Sequence, residues 1–455
     1  MKVKDFLKRY KAPIVLGVLT VLIFSAFIIE KLVVVASLAV VAFMVFCTLE
    51  EQICLIMYLA VFSGKSPIYI VSILFCFVTL VVKYIFEAIK KEKPVYKKQL
   101  ILTLAIIFVF TIVHHDINTE GFYNWAMFVC LICFSYLAVI YHKEINFHKA
   151  FKTLIIAIFV STILGVIGYF SGLVKQVYYY DDIVHRLRLF TLNVNHLAMF
   201  SAFSIAYMLT QIMNKDFCGG NFKFLSDKLF WYRFCCVVAL IGVGLLTMSK
   251  AFMLIVAFMA LYLFVYIIIK YKLKSLWFAL VVVLVSVPLC FILRDYLLKL
   301  LNRFVAYDTW NGMFSKITTG RSEIWVMYLK EFTSSVWNMI FGVGLLTRDL
   351  ISKGPHNVFV YILYRVGILG TLMIGVLLFL YIKHGKSAIK IRFSSLLLML
   401  VYLIFALEEM VLSDRFFLFL IFGVMMILKE CSKKQVEDEN LESIIPDNQN
   451  NKKWQ

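Results

Sequence analysis

The length of its apolar runs is what most limits how this chain can fold. Ala251–Ile269 (AFMLIVAFMALYLFVYIII) carries no charge over about 20 positions, which is what a helix needs to cross a hydrocarbon core. Hydrophobic residues make up 62% of the chain and charged residues 16%. A soluble fold cannot bury that much apolar surface, so lipid is the solvent for most of it. The runs are continuous and do not alternate over about 10 residues, which excludes a transmembrane β-barrel. The expected fold is therefore an all-α polytopic membrane protein of about 12–14 transmembrane helices, with one long extracytoplasmic loop containing short amphipathic helices.

Candidate spans run from Pro13–Ile29 to Phe416–Leu428, and include Ser275–Leu293 and Phe393–Leu412. The expected division is a transmembrane helical region over 1–293, an extracytoplasmic loop over 294–356, C-terminal transmembrane helices over 357–429, and a disordered cytoplasmic tail over 430–455. Lysines gather in short loops, as in Lys90, Lys91, Lys93, Lys97 and Lys98, where the positive-inside bias makes them cytoplasmic. Both termini then face the cytoplasm, and the protein is a multi-pass component of the cytoplasmic membrane. This alternation holds only if Gln52–Ser63, short enough to read as re-entrant or interfacial, crosses. The basic MKVKDFLKRYK start leads into an apolar run with no small-x-small cleavage pattern, so it reads as an uncleaved first span.

The net charge of +19 invites a nucleic-acid reading. Its distribution in short loops, without a basic face interleaved with stacking aromatics, argues for no nucleic-acid partner. Cys130-x-x-Cys133 lies mid-span among Leu, Ile and Phe, where such cysteines are packing residues, and no disulfide framework is implied. Apart from Arg365, the span centres carry almost no ionisable residues, which argues against proton-coupled transporters and ion channels. No P-loop, dinucleotide fingerprint or outer metal constellation is visible, so no cofactor is expected.

Two outward segments break the positive-inside pattern: the one with Arg186 and Arg188, and the long loop with Arg321 and Arg348. A cation held against that bias usually has an anionic partner, and guanidinium forks at the mouth of a span suit a lipid-linked phosphate. General headgroup binding is the competing reading for either arginine of the first segment. Asn195 and His196 read as caps of the span that follows. Lys250, in the Thr247–Lys250 turn, reads alone as a snorkelling lysine. Ile324, Trp325, Tyr328 and Phe332 recur at helical spacing, giving an interfacial helix with Arg321 and Glu323 in its first turn. A guanidinium beside free N–H groups makes an anion site, although a surface arginine near headgroups fits equally. His356 precedes a span, and its imidazole can act as a base near neutral pH. Arg365 lies eight residues past Asn357, about 12 Å down a helix, and needs a partner there, for which Glu408 and Glu409 are candidates.

The order of these motifs resembles the bacterial O-antigen polymerase and O-antigen ligase superfamily. The resemblance runs from Arg186 to Gly370 through Asn193-Val194-Asn195-His196, Ser249-Lys250, Gly320-Arg321 with Trp325, Gly342-Val343-Gly344, His356-Asn357 and Gly367-Ile368-Leu369-Gly370. It implies a metal-independent, membrane-embedded glycosyltransferase with an undecaprenyl-diphosphate-linked glycan donor and a lipid-linked acceptor. It further implies a flippase and a chain-length regulator as partners. Arg188 and Arg321 would bind diphosphate, and His356 would orient or deprotonate the acceptor hydroxyl. Arg186, Lys250, Arg348, Arg365, Glu323 and Asn195 would line the diphosphate and glycan site. The chain departs from the family's usual pattern in having Lys250 for arginine, no proline near Asn193, and Arg365 where an acid is common. Repeat-unit polymerisation is the first reading, ligase-type transfer to another acceptor the second, and a lipid-linked oligosaccharide flippase the reading from a different class.

Overall fold

The computed structural model describes residues 3–90, 97–113, 117–141, 144–174, 177–180, 185–213, 227–271, 294, 298, 321–347, 350, 354–384 and 393–406. The first seven helices are α1 (Val3–Ile28), α2 (Leu32–Val45), α3 (Leu49–Ala60), α4 (Ser66–Ile89), α5 (Lys97–Ile112), α6 (Thr119–Ile140) and α7 (Phe147–Phe170). After a short hairpin come α8 (Val194–Gln211), α9 (Lys228–Leu246), α10 (Lys250–Tyr271), α11 (Arg321–Phe332), α12 (Val336–Phe341), α13 (Val358–His384) and α14 (Phe393–Ala406). Among the described residues five helical stretches are long and apolar enough to cross a membrane: Ser66–Ile89, Phe147–Phe170, Lys228–Leu246, Lys250–Ile269 and Val358–Leu380. The chain is thus a mostly helical, multi-pass membrane protein. The expected spans Ser275–Leu293 and Phe416–Leu428, and the 430–455 tail, lie outside the described residues.

One element departs from the all-helical expectation. Strands β1 (Tyr178–Tyr180) and β2 (His185–Leu187) pair antiparallel, with Tyr179 opposite Arg186. Three consecutive tyrosines favour extended backbone, and the pair is too short for a period-2 pattern to reveal it.

Contacts at the helix ends sort the bundle into two poles. At one, Lys149 of α7 meets Glu50 of α3, Lys83 meets Glu87 (3.9 Å) and Glu144, and the Tyr141 hydroxyl donates to Glu87 at 2.8 Å. At the other, Lys65 pairs with Glu30 at 3.5 Å, and the Gly64 N–H donates to the Phe190 carbonyl at 2.7 Å. Helix α3 connects the two poles although it has only 12 residues, about 18 Å of helix. A capping box starts it: Glu51 N–H donates to Thr48 Oγ1 (3.3 Å) and Thr48 N–H to the Glu51 carboxylate (2.8 Å). From Gln52 to Ala60 all but one of its residues are buried, against α4 and α7, so protein rather than lipid covers this short helix. Central to the bundle is α8, every residue of which is buried among α7, α9, α10 and α14.

Because α3 joins the poles, single cysteines at Glu50 and Lys65 should react with membrane-impermeant maleimide from opposite sides of the bilayer. Labelling of both from one side, over the background of the parent protein in oriented vesicles, would reject this topology.

Candidate functional site

The pole that carries Phe190 also carries the candidate residues, gathered into two groups. The first is built where β2, the start of α8 and the α9–α10 turn converge. Arg186 donates from Nε to the Thr247 carbonyl (3.0 Å) and from Nη2 to Asn195 Oδ1 (3.0 Å), so one guanidinium ties three elements together. The expected caps of α8 are corrected here. Asn193 is the N-cap, accepting from Asn195 N–H at 3.1 Å, while the buried Asn195 and His196 lie inside the first turn. An N-cap needs extended backbone, which Asn193 has and Asn195 does not, and the Asn195 side chain is used by Arg186 instead. Lys250 opens α10, half-buried, directly after the buried Ser249 of the same turn.

Arg188 is half-buried and held differently. Its Nε donates to the Thr191 carbonyl at 3.0 Å, and the Thr191 hydroxyl donates back to the Arg188 carbonyl at 2.7 Å. The neighbouring Phe190 ring is wedged against Phe24, Phe27 and Phe62, at centroid distances of 5.8, 4.7 and 5.7 Å. Together with the Gly64–Phe190 bond, this aromatic wedge fixes the loop that bears Arg188. The sequence does not reveal it, because its phenylalanines come from helices far apart in the chain. Burial pushes the Arg188 pKa down, but an arginine starts so high that it stays charged. Among the described residues its guanidinium makes only the Nε bond, leaving both Nη groups for an anion.

The second group is assembled on α11, α12 and α13. Ile324, Trp325, Tyr328 and Phe332 form the covered face of α11, as their spacing predicts. Tyr328 meets Tyr364 edge-on at 4.7 Å. Trp325 Nε1 donates to the Pro355 carbonyl at 2.8 Å, stitching the Gly-Arg-x-x-x-Trp helix to the residue before His356. Arg321 is half-buried at the start of α11, and Glu323 points to the exposed side. Asn357 caps α13, its Oδ1 accepting from Phe359 N–H (3.0 Å) and Val360 N–H (3.1 Å). His356 is thus held between a tethered carbonyl and a helix cap. Arg348 lies outside the described residues.

Arg365 is 1% exposed and lies deep in α13. Its expected partners, Glu408 and Glu409, lie outside the described residues. Its Nη1 donates to the Gly344 carbonyl (3.0 Å) and the Thr347 carbonyl, and its guanidinium lies 5.2 Å from the Tyr361 ring centroid and 5.4 Å from that of Tyr364. The backbone beside it is broken: Gly367 has φ 66° and ψ −171° inside α13. Val343 and Gly344 N–H donate to the Tyr364 and Arg365 carbonyls at 2.9 and 3.0 Å, pairing with the interrupted turn. Glycine is required on both sides. A Cβ on Gly342 (φ 75°) would lie 2.4 Å from the Arg365 carbonyl carbon, and one on Gly367 2.3 Å from the Ile340 oxygen.

Three non-glycine residues among those described have left-handed backbone: Leu189 (φ 53°), Met248 (φ 53°) and His356 (φ 47°). One follows Arg188, one precedes Ser249-Lys250, and one is the candidate base itself. Strain of this kind costs about 1–3 kcal/mol per residue and gathers at functional turns. Among the described residues no three His, Cys, Asp or Glu side chains come together as a metal site. Compared with known proteins, the chain matches no family model and no curated protein.

Replacing Arg365 with Ala removes its bonds to the Gly344 and Thr347 carbonyls, the first of them buried and worth about 1–3 kcal/mol, and should lower the unfolding temperature in detergent markedly. Arg365→Lys keeps the charge but not the planar fork, and should recover only part of that loss. Gly342→Ala should be as damaging as Arg365→Ala, because no side chain can move aside for a clash with backbone. Thermal unfolding of the three purified variants checks all of this.

Proposed function

We propose that this protein is a membrane-embedded glycosyltransferase that polymerises undecaprenyl-diphosphate-linked oligosaccharide repeat units into capsular, exo- or O-antigen polysaccharide at the outer face of the cytoplasmic membrane. The observation that carries this reading is Arg188. It is a cation partly withdrawn from water, fixed by a strained turn and an aromatic wedge, with its two Nη groups directed to no described residue. Such a group is pre-placed for a bidentate oxyanion. The motif order from Arg188 to Gly370 supports the same family of reactions, and the tether from Trp325 to Pro355 supports a joint role for Arg321 and His356.

In this reading an acceptor hydroxyl attacks the anomeric carbon of the donor. A new C–O bond forms, the bond to diphosphate breaks, and the charge that develops on the leaving diphosphate is taken up by Arg188 and Arg321. His356 accepts the hydroxyl proton. Activation resides in the diphosphate bond, so no nucleotide is consumed. Arg186 and Asn195 position the loop that carries Arg188, with Lys250 at the neighbouring turn.

In cells lacking the native gene, Arg188→Ala, Arg321→Ala and His356→Ala should each abolish long-chain polymer, while single lipid-linked units persist on the outer leaflet. Units trapped on the inner leaflet would indicate a flippase instead. Intact polymer with glycan missing from a different final acceptor would indicate ligase-type transfer. Normal polymer in all three variants would reject the site.

A further inference from the structure

We infer that Lys65 is a second anion-binding residue of the site that Arg188 opens, and that it takes the phosphoryl group of a diphosphate that the Arg188 fork leaves over. This rests on reading Arg188 as an anion site and extends that site to the α3–α4 turn, which none of the sequence motifs touches.

Two local rules disfavour a lysine in this turn. It stands at the Arg188 pole, the outer one in the charge-based orientation, where the positive-inside bias selects against lysine. Lys65 also occupies the N-cap of α4 without making a side-chain capping bond, and the start of a helix disfavours a cation. Its contacts do not account for it either. The Nζ lies 3.5 Å from Glu30, but the Glu30 side chain is 91% exposed and that of Lys65 only 21%. An ion pair with so hydrated a partner contributes little and is readily exchanged. The other contact is with the Phe27 ring, whose centroid is 6.0 Å from Nζ.

The fold ties this lysine to Arg188. Phe190 packs at 4.7 Å against the same Phe27 ring. Two successive carbonyls then hold the two cationic elements. That of Phe190 accepts from the N–H of Gly64, the residue before Lys65, and that of Thr191 accepts from Arg188 Nε. The first approach is so close that a Cβ on Gly64 would lie 2.7 Å from the Phe190 oxygen. Arginine and lysine suit different parts of one ligand. A planar guanidinium engages two oxygens of one phosphoryl group, whereas an ammonium on a flexible stem needs no fixed plane and meets the second. Glu30 competes with that anion for Lys65.

Calorimetric titration of the purified full-length protein in detergent with farnesyl diphosphate and farnesyl monophosphate tests this. Lys65→Gln should weaken diphosphate binding about tenfold and leave monophosphate binding unchanged. Lys65→Arg should retain most of the diphosphate affinity, and Glu30→Gln should raise it. Arg188→Ala should weaken both ligands. If Lys65→Gln binds the diphosphate as the parent does, or loses both ligands equally, the inference falls while the Arg188 reading stands. If Arg188→Ala binds both ligands as the parent does, the Arg188 reading falls and takes this inference with it. A parent protein that binds both ligands equally, as a general headgroup site would, or binds neither, overturns the inference as well.

Discussion

A break in a helix frees backbone groups, and where protein covers the break they need new protein partners. In this chain the break lies at Gly367 of α13, and the 342–344 backbone closes it by bonding the Tyr364 and Arg365 carbonyls. The closure brings two glycines so near each other's partner strand that neither tolerates a Cβ. It also leaves the Gly344 and Thr347 carbonyls facing inward, and the Arg365 guanidinium answers them. A buried arginine is expensive when its charge is isolated. Here carbonyl dipoles and two tyrosine faces surround it. The second half of the candidate site adjoins this arrangement, since Pro355, whose carbonyl Trp325 holds, stands just before the start of α13.

The first half is held by a different device. Arg186 is consumed by its bonds to Thr247 and Asn195, whereas Arg188, two residues on, keeps only its Nε engaged among the described residues. Neighbouring arginines with identical chemistry therefore have separate tasks. One joins β2, α8 and the α9–α10 turn; the other offers its fork. The left-handed residues at Leu189, Met248 and His356 fall at the turns where these tasks are carried out, so the strain marks both halves.

Much of the fold was legible because lipid imposes a simple rule: about 20 apolar residues in a row make a crossing helix. The lysine-rich loops, the buried face of α11 and the glycine motifs were all visible as patterns. What was misread followed from local ambiguity. Asn193 and Asn195 have the same side chain, and only the extended backbone at Asn193 makes it the cap. Gln52–Ser63, by contrast, was read as crossing, but from the charge alternation alone, because hydropathy does not say that α4 and α7 shield so short a helix. The β1–β2 hairpin was hidden because three-residue strands carry too few alternations to register.

The sequence by itself determined that this is a helical membrane protein, that cations and a histidine gather in its polar interruptions, and that Gly-x-Gly and Gly-Ile-x-Gly recur before and within a late span. Composition and periodicity suffice for that, since both act residue by residue. Only the tertiary structure decided that the two glycine motifs interlock, that Arg365 serves backbone carbonyls, and that Phe190 anchors the Arg188 loop through rings from α1 and the α3–α4 turn. Those are contacts between segments far apart in the chain. Their energy depends on shape and distance, which no local pattern of residues encodes.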